Sequence, residues 1–168
     1  MDAGFQYLLE RFTSLGGIAE NICQREGEYG RGIFPVDSSR RAKIMTPKNL
    51  LVERGDVCVS RDEIYVKDSS QLTSKEKNFI ELNYNYAWKD GGNACAAEFL
   101  KYVSTMPESV KNQLLGCGFI SKDLLECCPD ESGVLKRFID ERVVNFEGKS
   151  VLASIWDLVN HSSFAAPL

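Results

Sequence analysis

The sequence predicts an α+β fold in which small antiparallel β-sheets come first and a helical stretch follows. Between residues 18 and 67, short apolar runs alternate with Gly, Pro and charged turns. Two of these runs have an apolar period of two on either side of Ser60-Arg61-Asp62, which predicts a β-hairpin. From Thr73 onward the apolar period becomes helical. Strands that are followed by helices, and do not alternate with them, indicate an α+β fold and not a parallel α/β sheet.

The helices are predicted from apolar spacing and from their end signals. The first precedes the strands, because Phe5, Leu8 and Phe12 recur at helical spacing before Gly16-Gly17. After the strands, the capping box Thr73-Ser-Lys-Glu76 begins the next helix. A further helix is predicted to begin at Asn93, and others to run from Pro107 to Gly116 and from Ser121 to before Pro129. The last two predicted helices cover 132–144 and 150–159. Glu147-Gly148-Lys149 separates them.

Composition excludes several classes of protein. The 168 residues are 43% hydrophobic and 26% charged, which is typical of a soluble globular protein large enough to bury a core. The net charge is −4 and no long Lys/Arg run occurs, so we expect no nucleic-acid partner. No apolar run reaches the ~18 residues of a membrane span, and the N-terminus lacks the basic region of a signal peptide. We therefore expect a cytoplasmic or nuclear protein with no membrane partner.

Cysteine and histidine usage argues against a metal site and against a nucleophilic triad. Six cysteines occur without any Cys-x-x-Cys, and the single histidine, His161, is distant from them in sequence. We therefore predict no metal site and expect reduced thiols. One histidine without a Gly-x-Ser-x-Gly motif supports no serine triad, so the catalytic residues stay unassigned.

Two polar segments are candidates for ligand binding, and each also has a purely structural interpretation. Gly30-Arg31-Gly32 would let a ligand approach the main chain closely, or it is simply a turn or bulge. Asn160-His161-Ser162 follows an apolar run and would need partners or a ligand, or it is a helix terminator beside a packed histidine. A third group, Tyr84, Tyr86 and Trp88, is either a binding platform or, as is more usual, the core and rim of a helix.

Taken in order, three segments resemble the SET-domain protein methyltransferases, and most closely the helical-insert branch that includes the Rubisco lysine methyltransferases. Glu28-Tyr-Gly-Arg-Gly-Ile-Phe34 is similar to the family's first cofactor loop, where a Gly-x-Gly opens a strand. Ala42-Lys-Ile-Met-Thr-Pro-Lys-Asn-Leu-Leu51 is similar to its next strand and short helix, although Thr46 stands where Val is usual. Trp156-Asp-Leu-Val-Asn-His-Ser162 resembles its Asp-Leu-x-Asn-His-Ser segment closely.

The resemblance implies small SET-type sheets divided by a helical insert. Residues 1–70 would be the β-rich N-terminal half with a leading helix, 71–148 the insert, and 149–168 the start of the C-terminal half. It further implies a protein lysine methyltransferase that acts on a lysine side chain of a protein substrate. A non-catalytic protein-interaction module that retains part of the fold is the alternative.

The cofactor implied by the resemblance is S-adenosylmethionine. Backbone groups at Tyr29, Gly30 and Arg31, with Gly32 completing the Gly-x-Gly, would hold its methionine end. The Asn160 side chain would bind the amino group, and the His161 backbone would meet the adenine edge. Exposed peptide groups and a carboxamide suit a zwitterionic amino acid and a purine rim.

The chain departs from the family pattern in two respects. The family continues beyond this segment to a catalytic tyrosine, which has no counterpart before Leu168, so we expect an incomplete domain and poor transfer by this chain alone. The arginine that the family's insert usually places near the cofactor has no clear equivalent either. Arg137 and Arg142 are the candidates.

Overall fold

A computed structural model describes residues 2–27, 30–60, 63–89, 93–118, 122 and 131–159 of the chain. Within these ranges α-helices and small antiparallel sheets occur together, which confirms the α+β class. The predicted helix from Ser121 to before Pro129 lies outside the described residues except for Lys122. No helix in the described ranges is long and apolar enough to cross a membrane.

The described secondary structure begins with an α-helix, continues with seven strands, and has its other α-helices before the last two strands. The helices are α1 (Ala3–Ser14), α2 (Ser74–Ala87), α3 (Asn93–Thr105), α4 (Glu108–Gly116) and α5 (Glu131–Asp140). The strands are β1 (Ile18–Glu20), β2 (Ile22–Gly27), β3 (Gly30–Pro35), β4 (Lys43–Met45), β5 (Leu51–Glu53), β6 (Val57–Ser60), β7 (Glu63–Val66), β8 (Val143–Phe146) and β9 (Lys149–Ala153).

All strand pairs are antiparallel, and they form four small sheets within the described residues. β1 pairs with β4, β2 with β3, and β6 with β7, while β9 lies between β5 and β8. The short strands predicted over 18–67 and the hairpin around residues 60–62 are therefore confirmed. Nearly all of these strands contribute to one hydrophobic core.

Helices α1 and α2 bury aromatic side chains against each other in this core. Phe12 and Phe79 stack with ring centroids 5.8 Å apart, and both are almost completely buried. Gly17 makes the packing of Phe12 possible, since a Cβ at this position would lie 2.5 Å from the Phe12 ring. The predicted end of α1 at Gly16-Gly17 therefore also has a packing reason, beyond the left-handed φ of +91° at Gly16.

Helix α2 begins as predicted and contributes its aromatic residues to the core. Thr73 accepts the N–H of Glu76, and the Glu76 carboxylate accepts the N–H of Thr73, which completes the capping box. Tyr84 and Trp88 are buried, at 0% and 3% exposure. The structural interpretation of these aromatic residues is therefore the right one for Tyr84 and Trp88.

Near the end of the chain, one helical prediction is confirmed over a shorter range and the other is wrong. The helix predicted over 132–144 ends at Asp140, and the run predicted to be helical over 150–159 begins as strand β9. Short apolar runs do not distinguish the helical period from the strand period. The strand is decided by β5, which is about 100 residues earlier in the chain and pairs Val52 with Leu152.

Glu147-Gly148 was predicted to separate two helices, and it forms the turn of a β-hairpin. Phe146 pairs with Lys149, so Glu147 and Gly148 form a tight hairpin turn between β8 and β9. Both have positive φ, +51° at Glu147 and +78° at Gly148, as a type I′ turn requires.

Candidate functional site

Three of the six predicted cofactor residues lie in strand β3 and three lie outside the described residues. Gly30, Arg31 and Gly32 form the start of β3. Tyr29, Asn160 and His161 are not described, so the predicted meeting of Gly30 with Asn160 stays a prediction. The described residues nevertheless define the strand that carries the Gly-x-Gly and the turn that leads to Asn160.

The Gly-x-Gly opens the second strand of a tight hairpin. Gly27 pairs with Gly30, so only residues 28 and 29 separate β2 from β3. The structural interpretation of the two glycines as hairpin residues is therefore correct at Gly30. It does not exclude ligand binding, because the second edge of β3 has no strand partner within the described residues.

The register shows which backbone groups of β3 face that second edge. Val36 N–H donates to Asn21 O at 3.1 Å, one step beyond the paired strands. Hydrogen-bonded and non-hydrogen-bonded positions alternate along an antiparallel ladder. Counting from this bond, residues 34, 32 and 30 bond to β2, and the peptide groups of Arg31 and Ile33 point away from it. The strand thus presents an edge of backbone donors and acceptors.

The two faces of this hairpin have different environments. Ile22, Gln24 and Ile33 are buried on the face toward the core, at 5%, 7% and 9% exposure. On the other face, the Arg25 guanidinium lies 4.6 Å from the ring centroid of Phe34, a cation–π contact. Arg25 pairs directly with Gly32, and Phe34 lies two residues further along β3 on the same face.

Helix α2 is hydrogen-bonded to the core face of the hairpin. Tyr86 Oη donates to Gln24 Oε1 at 2.5 Å and lies 3.3 Å from Asp2 Oδ1, which also caps α1. Tyr86 packs on the N-terminus of α1 as well, since a Cβ at Gly4 would lie 2.9 Å from its ring. Gln24 lies in β2 opposite Ile33 of β3, so the bond ties α2 to the hairpin that carries the Gly-x-Gly.

The far end of the same hairpin is fixed by Asn21, whose own φ is +55°. Asn21 donates to the backbone oxygens of Asp37 and Arg40 at 2.9 Å and accepts the N–H of Asp37 at 2.9 Å. Asp37 in turn accepts from the hydroxyl and the backbone N–H of Ser39, and these bonds lower the pKa of its carboxyl group. The loop after β3 is therefore held against the start of β2.

The chain reaches the Asp-Leu-x-Asn-His-Ser segment through a strained turn at Ser154-Ile155. Ile155 has φ +72° and ψ −39°, an outlier for a β-branched residue and close to the rarer, strained form of γ-turn. Such conformations persist only where the surroundings determine them, and they cluster at functional sites. After the turn, Trp156–Leu158 forms a short 3₁₀ helix.

Side chains from two distant parts of the chain hold this turn. Asn83 of α2 is fully buried, and its Oδ1 accepts the N–H of Ile155 at 3.1 Å. Thr46, which follows β4, donates its hydroxyl to Ser154 O at 3.1 Å. The Ser154 hydroxyl is itself fully buried and has no hydrogen-bond partner among the residues that the structure describes.

Both candidate segments are anchored in the same core. Ile33 of β3 and Leu158, two residues before Asn160, are each 9% exposed and belong to one cluster of buried side chains. The described ends of both segments are thus set by packing, independently of any ligand.

Other features of the described residues lie apart from these two segments. A cleft of about 290 Å³ between α1 and α2 is lined by Arg11, Lys75 and Phe79, among others, and by no residue of β3 or of 154–159. The candidate Arg142 places its guanidinium 3.5 Å from the Phe138 ring centroid, and Arg137 is bonded to Glu141, which directly follows its helix. The described part of the chain contains no group of three or more metal-ligating side chains.

Asn83 and Thr46 bond to the turn that leads to the predicted site, and neither role was predicted from the sequence. A signal for Asn83 was present: α2 contains Asn78, Asn83 and Asn85, although asparagine is a poor residue for a helix interior. Asn83 and Asn85 form tertiary hydrogen bonds, whereas Asn78 is exposed. Thr46 differs from the Val that is usual in the resembled family, and its added hydroxyl is the group that bonds to Ser154.

No protein-family model, no curated protein and no solved structure matches this chain.

Proposed function

We propose that this chain binds S-adenosylmethionine and belongs to a SET-type protein lysine methyltransferase. The observation that carries the proposal is the strained turn at Ser154-Ile155, which leads directly into an Asp-Leu-x-Asn-His-Ser sequence. For a β-branched residue this conformation is strained, and strained backbone clusters at functional sites. The Gly-x-Gly hairpin supplies the second part of the proposed site.

The described residues fit the polar end of this cofactor. The outward peptide groups of Arg31 and Ile33 would offer donors and acceptors to the ammonium and carboxylate of a zwitterionic amino acid. Gly30 and Gly32 would allow this ligand to approach the main chain, because neither has a side chain. Asn160 would add a carboxamide, and Tyr29 and His161 would add backbone groups.

The proposed arrangement of the sheets also supports a SET-type fold. Small antiparallel sheets precede a stretch of helices, and β9 then returns to pair with β5 from the first part of the chain. A helical stretch inserted between paired strands is what the resemblance implies for residues 71–148. The strands on either side of it would therefore belong to one SET-type unit.

When bound, S-adenosylmethionine would supply an electrophilic methyl group on a sulfonium. The chain's own contribution would be to hold the methionine end on β3 and to orient it with Asn160, because positioning accounts for much of such a transfer. The protein substrate would present a lysine amine in its neutral, nucleophilic form. The residue that assists removal of the amine proton stays unassigned.

Thermal unfolding in the presence of the cofactor tests the proposal. S-adenosylmethionine or its demethylated product at about 100 times its Kd stabilises the folded protein by ~2.7 kcal/mol. Asn160→Ala is expected to reduce the shift in Tm, since it removes a polar group that would meet a charged one. Asn112→Ala, at an exposed position of α4, is the matched control and should leave the shift unchanged.

The outcome decides between two functions. Absence of any shift at millimolar cofactor would overturn the proposal and favour a protein-interaction module. One feature supports that alternative: Val144 and Phe146 are 48% and 40% exposed on one face of the edge strand β8. If the shift is present, transfer of radiolabelled methyl groups to lysines of a protein extract tests the reaction itself.

A further inference from the structure

Helix α2 bonds to the hairpin that carries the Gly-x-Gly and to the turn that precedes Asp-Leu-x-Asn-His-Ser, through two side chains that are three residues apart. Asn83 accepts the N–H of Ile155 at 3.1 Å, and Tyr86 donates to Gln24 in the Gly-x-Gly hairpin at 2.5 Å. We propose that Asn83 is a positioning residue: its buried amide fixes the turn at Ser154-Ile155 and so sets the course of the chain into Asp-Leu-x-Asn-His-Ser. The consequence for the cofactor rests on the proposed function, whereas the role in the turn does not.

The turn needs an external constraint because its backbone conformation is unfavourable. Ile155 is β-branched and has φ +72°, which few residues other than glycine adopt. Its side chain is fully buried, so replacement by glycine would remove core packing. A bond from the surrounding structure is therefore required to keep a buried isoleucine in this conformation.

Asn83 provides this bond at a position where asparagine is otherwise unfavourable. It lies inside α2, where asparagine lowers helix propensity, and it is 0% exposed, so its amide must find partners within the protein. A buried backbone N–H also needs an acceptor. An acceptor within the turn would satisfy Ile155 equally well, but only a side chain from α2 makes the turn depend on the helix.

The placement of α2 gives this dependence a function. Asn85, two residues after Asn83, bonds to the backbone N–H and C=O of Ile64 in β7 at 3.0 and 2.8 Å. Together with the bond from Tyr86 to Gln24, this fixes α2 relative to two hairpins. The bond from Ile155 to Asn83 then holds the turn against α2. The helical stretch thereby sets the relative placement of the two proposed cofactor segments.

Native-state amide hydrogen exchange tests the turn directly. The variants are Asn83→Leu, which keeps the side-chain volume and removes the acceptor, and Asn83→Asp, which keeps an acceptor at the same place. Ile80→Val is the matched control, since Ile80 is fully buried on the same helix and has no polar contact. The reporters are the amides of Ile155, Leu158 and Val159, which are hydrogen-bonded in and after the turn.

We expect Asn83→Leu to accelerate exchange of these three amides by at least ~10-fold relative to the amides of α1, because loss of the bond would let the turn open locally. Asn83→Asp should stay within about threefold of the parent protein, and Ile80→Val should change the turn and α1 equally. Equal acceleration of both regions in Asn83→Leu would overturn the proposal. If Asn83→Leu does not fold, the exchange rate of the Ile155 amide in the parent protein provides the test. An Ile155 amide that exchanges as fast as a solvent-exposed amide is incompatible with the proposed role.

Cofactor affinity provides the second measurement. The Kd of S-adenosylhomocysteine, measured by calorimetry well below each Tm, should rise at least ~10-fold in Asn83→Leu and stay within about threefold in Asn83→Asp and Ile80→Val. Unchanged affinity in Asn83→Leu with an accelerated turn would mean that the turn does not position the cofactor site. If the parent binds no cofactor, the proposed function fails, and the exchange measurement alone decides the role of Asn83 in the turn.

Discussion

Helices α2 and α4 belong to the same helical stretch and were predicted by the same kinds of signal, but they differ in what they contribute to the fold. In α2 the side chains of Phe79, Ile80, Asn83 and Tyr84 are buried, and the helix bonds to β7, to the turn at Ser154-Ile155 and to the β2–β3 hairpin. In α4 no residue is buried, and Pro107 provides no side-chain cap. Helical periodicity and end signals thus indicate where a helix forms, and burial decides how much stability it contributes.

The polar side chains of α2 sharpen this difference. Asn85 and Glu81, one turn apart, bond to the backbone of Ile64 and Val66 along the outer edge of β7. They occupy the place that a neighbouring strand would take, which protects an otherwise open sheet edge. Helix α2 is therefore both a core element and a cover for a sheet edge.

The largest difference between the two helices is expected for a buried aromatic residue. Phe79→Ala should destabilise the protein by about 3–5 kcal/mol, because Phe79 is 2% exposed and stacks on Phe12. Val110→Ala, at 38% exposure on α4, should change the free energy of unfolding by less than about 0.5 kcal/mol. Urea denaturation measures both, and comparable losses would show that α4 is packed as firmly as α2.

The polar cover of β7 is expected to have the next largest effect. Asn85→Ala should cost about 2 kcal/mol, since it leaves the N–H and C=O of Ile64 without their partner. Asn112→Ala is the counterpart on α4, where the position is exposed and alanine favours the helix, so no loss is expected. Thermal unfolding of the two variants separates the outcomes. A stability of Asn85→Ala equal to that of the parent would contradict the role assigned to this side chain.

The smallest expected effect on stability comes from the acidic side chain in the first turn of each helix, and it depends on pH. The Glu76 carboxylate accepts hydrogen bonds from the Asn49 side-chain amide at 2.5 Å and from the Thr73 backbone N–H at 2.7 Å. These bonds lower the pKa of Glu76, and the bond from Asn49 has the larger effect. A lowered folded-state pKa stabilises the protein above the unfolded value of about 4.3, and this stability is lost as the pH falls through the folded value. Glu76→Gln should therefore cost about 0.5 kcal/mol at pH 7 and less near pH 3.

Denaturation of parent and variant at pH 7 and pH 3 checks the sign of this effect. Glu108→Gln in the first turn of α4 is the control, since the exposed Glu108 carboxylate lies 3.6 Å from Lys111 in an ion pair that is expected to contribute little. A cost of Glu76→Gln that grows toward pH 3 would mean that the carboxylate does not act as a charged cap.

The sequence by itself determined the features that depend on neighbouring residues. The short strands of 18–67, the hairpin around residues 60–62 and the capping box at Thr73 follow from periodicity, turn chemistry and local hydrogen bonds. The Gly-x-Gly hairpin was open to a structural interpretation, and the pairing of Gly27 with Gly30 agrees with it.

Only the tertiary structure decided the features that depend on distant residues. Residues 149–153 form a strand because β5 pairs with them across about 100 residues, whereas their local apolar spacing also suits a helix. The same holds for the approach to Asn160. A fully buried Ile155 has a φ of +72° in a turn to which Asn83 and Thr46, distant in sequence, are hydrogen-bonded, and no local pattern specifies such an arrangement.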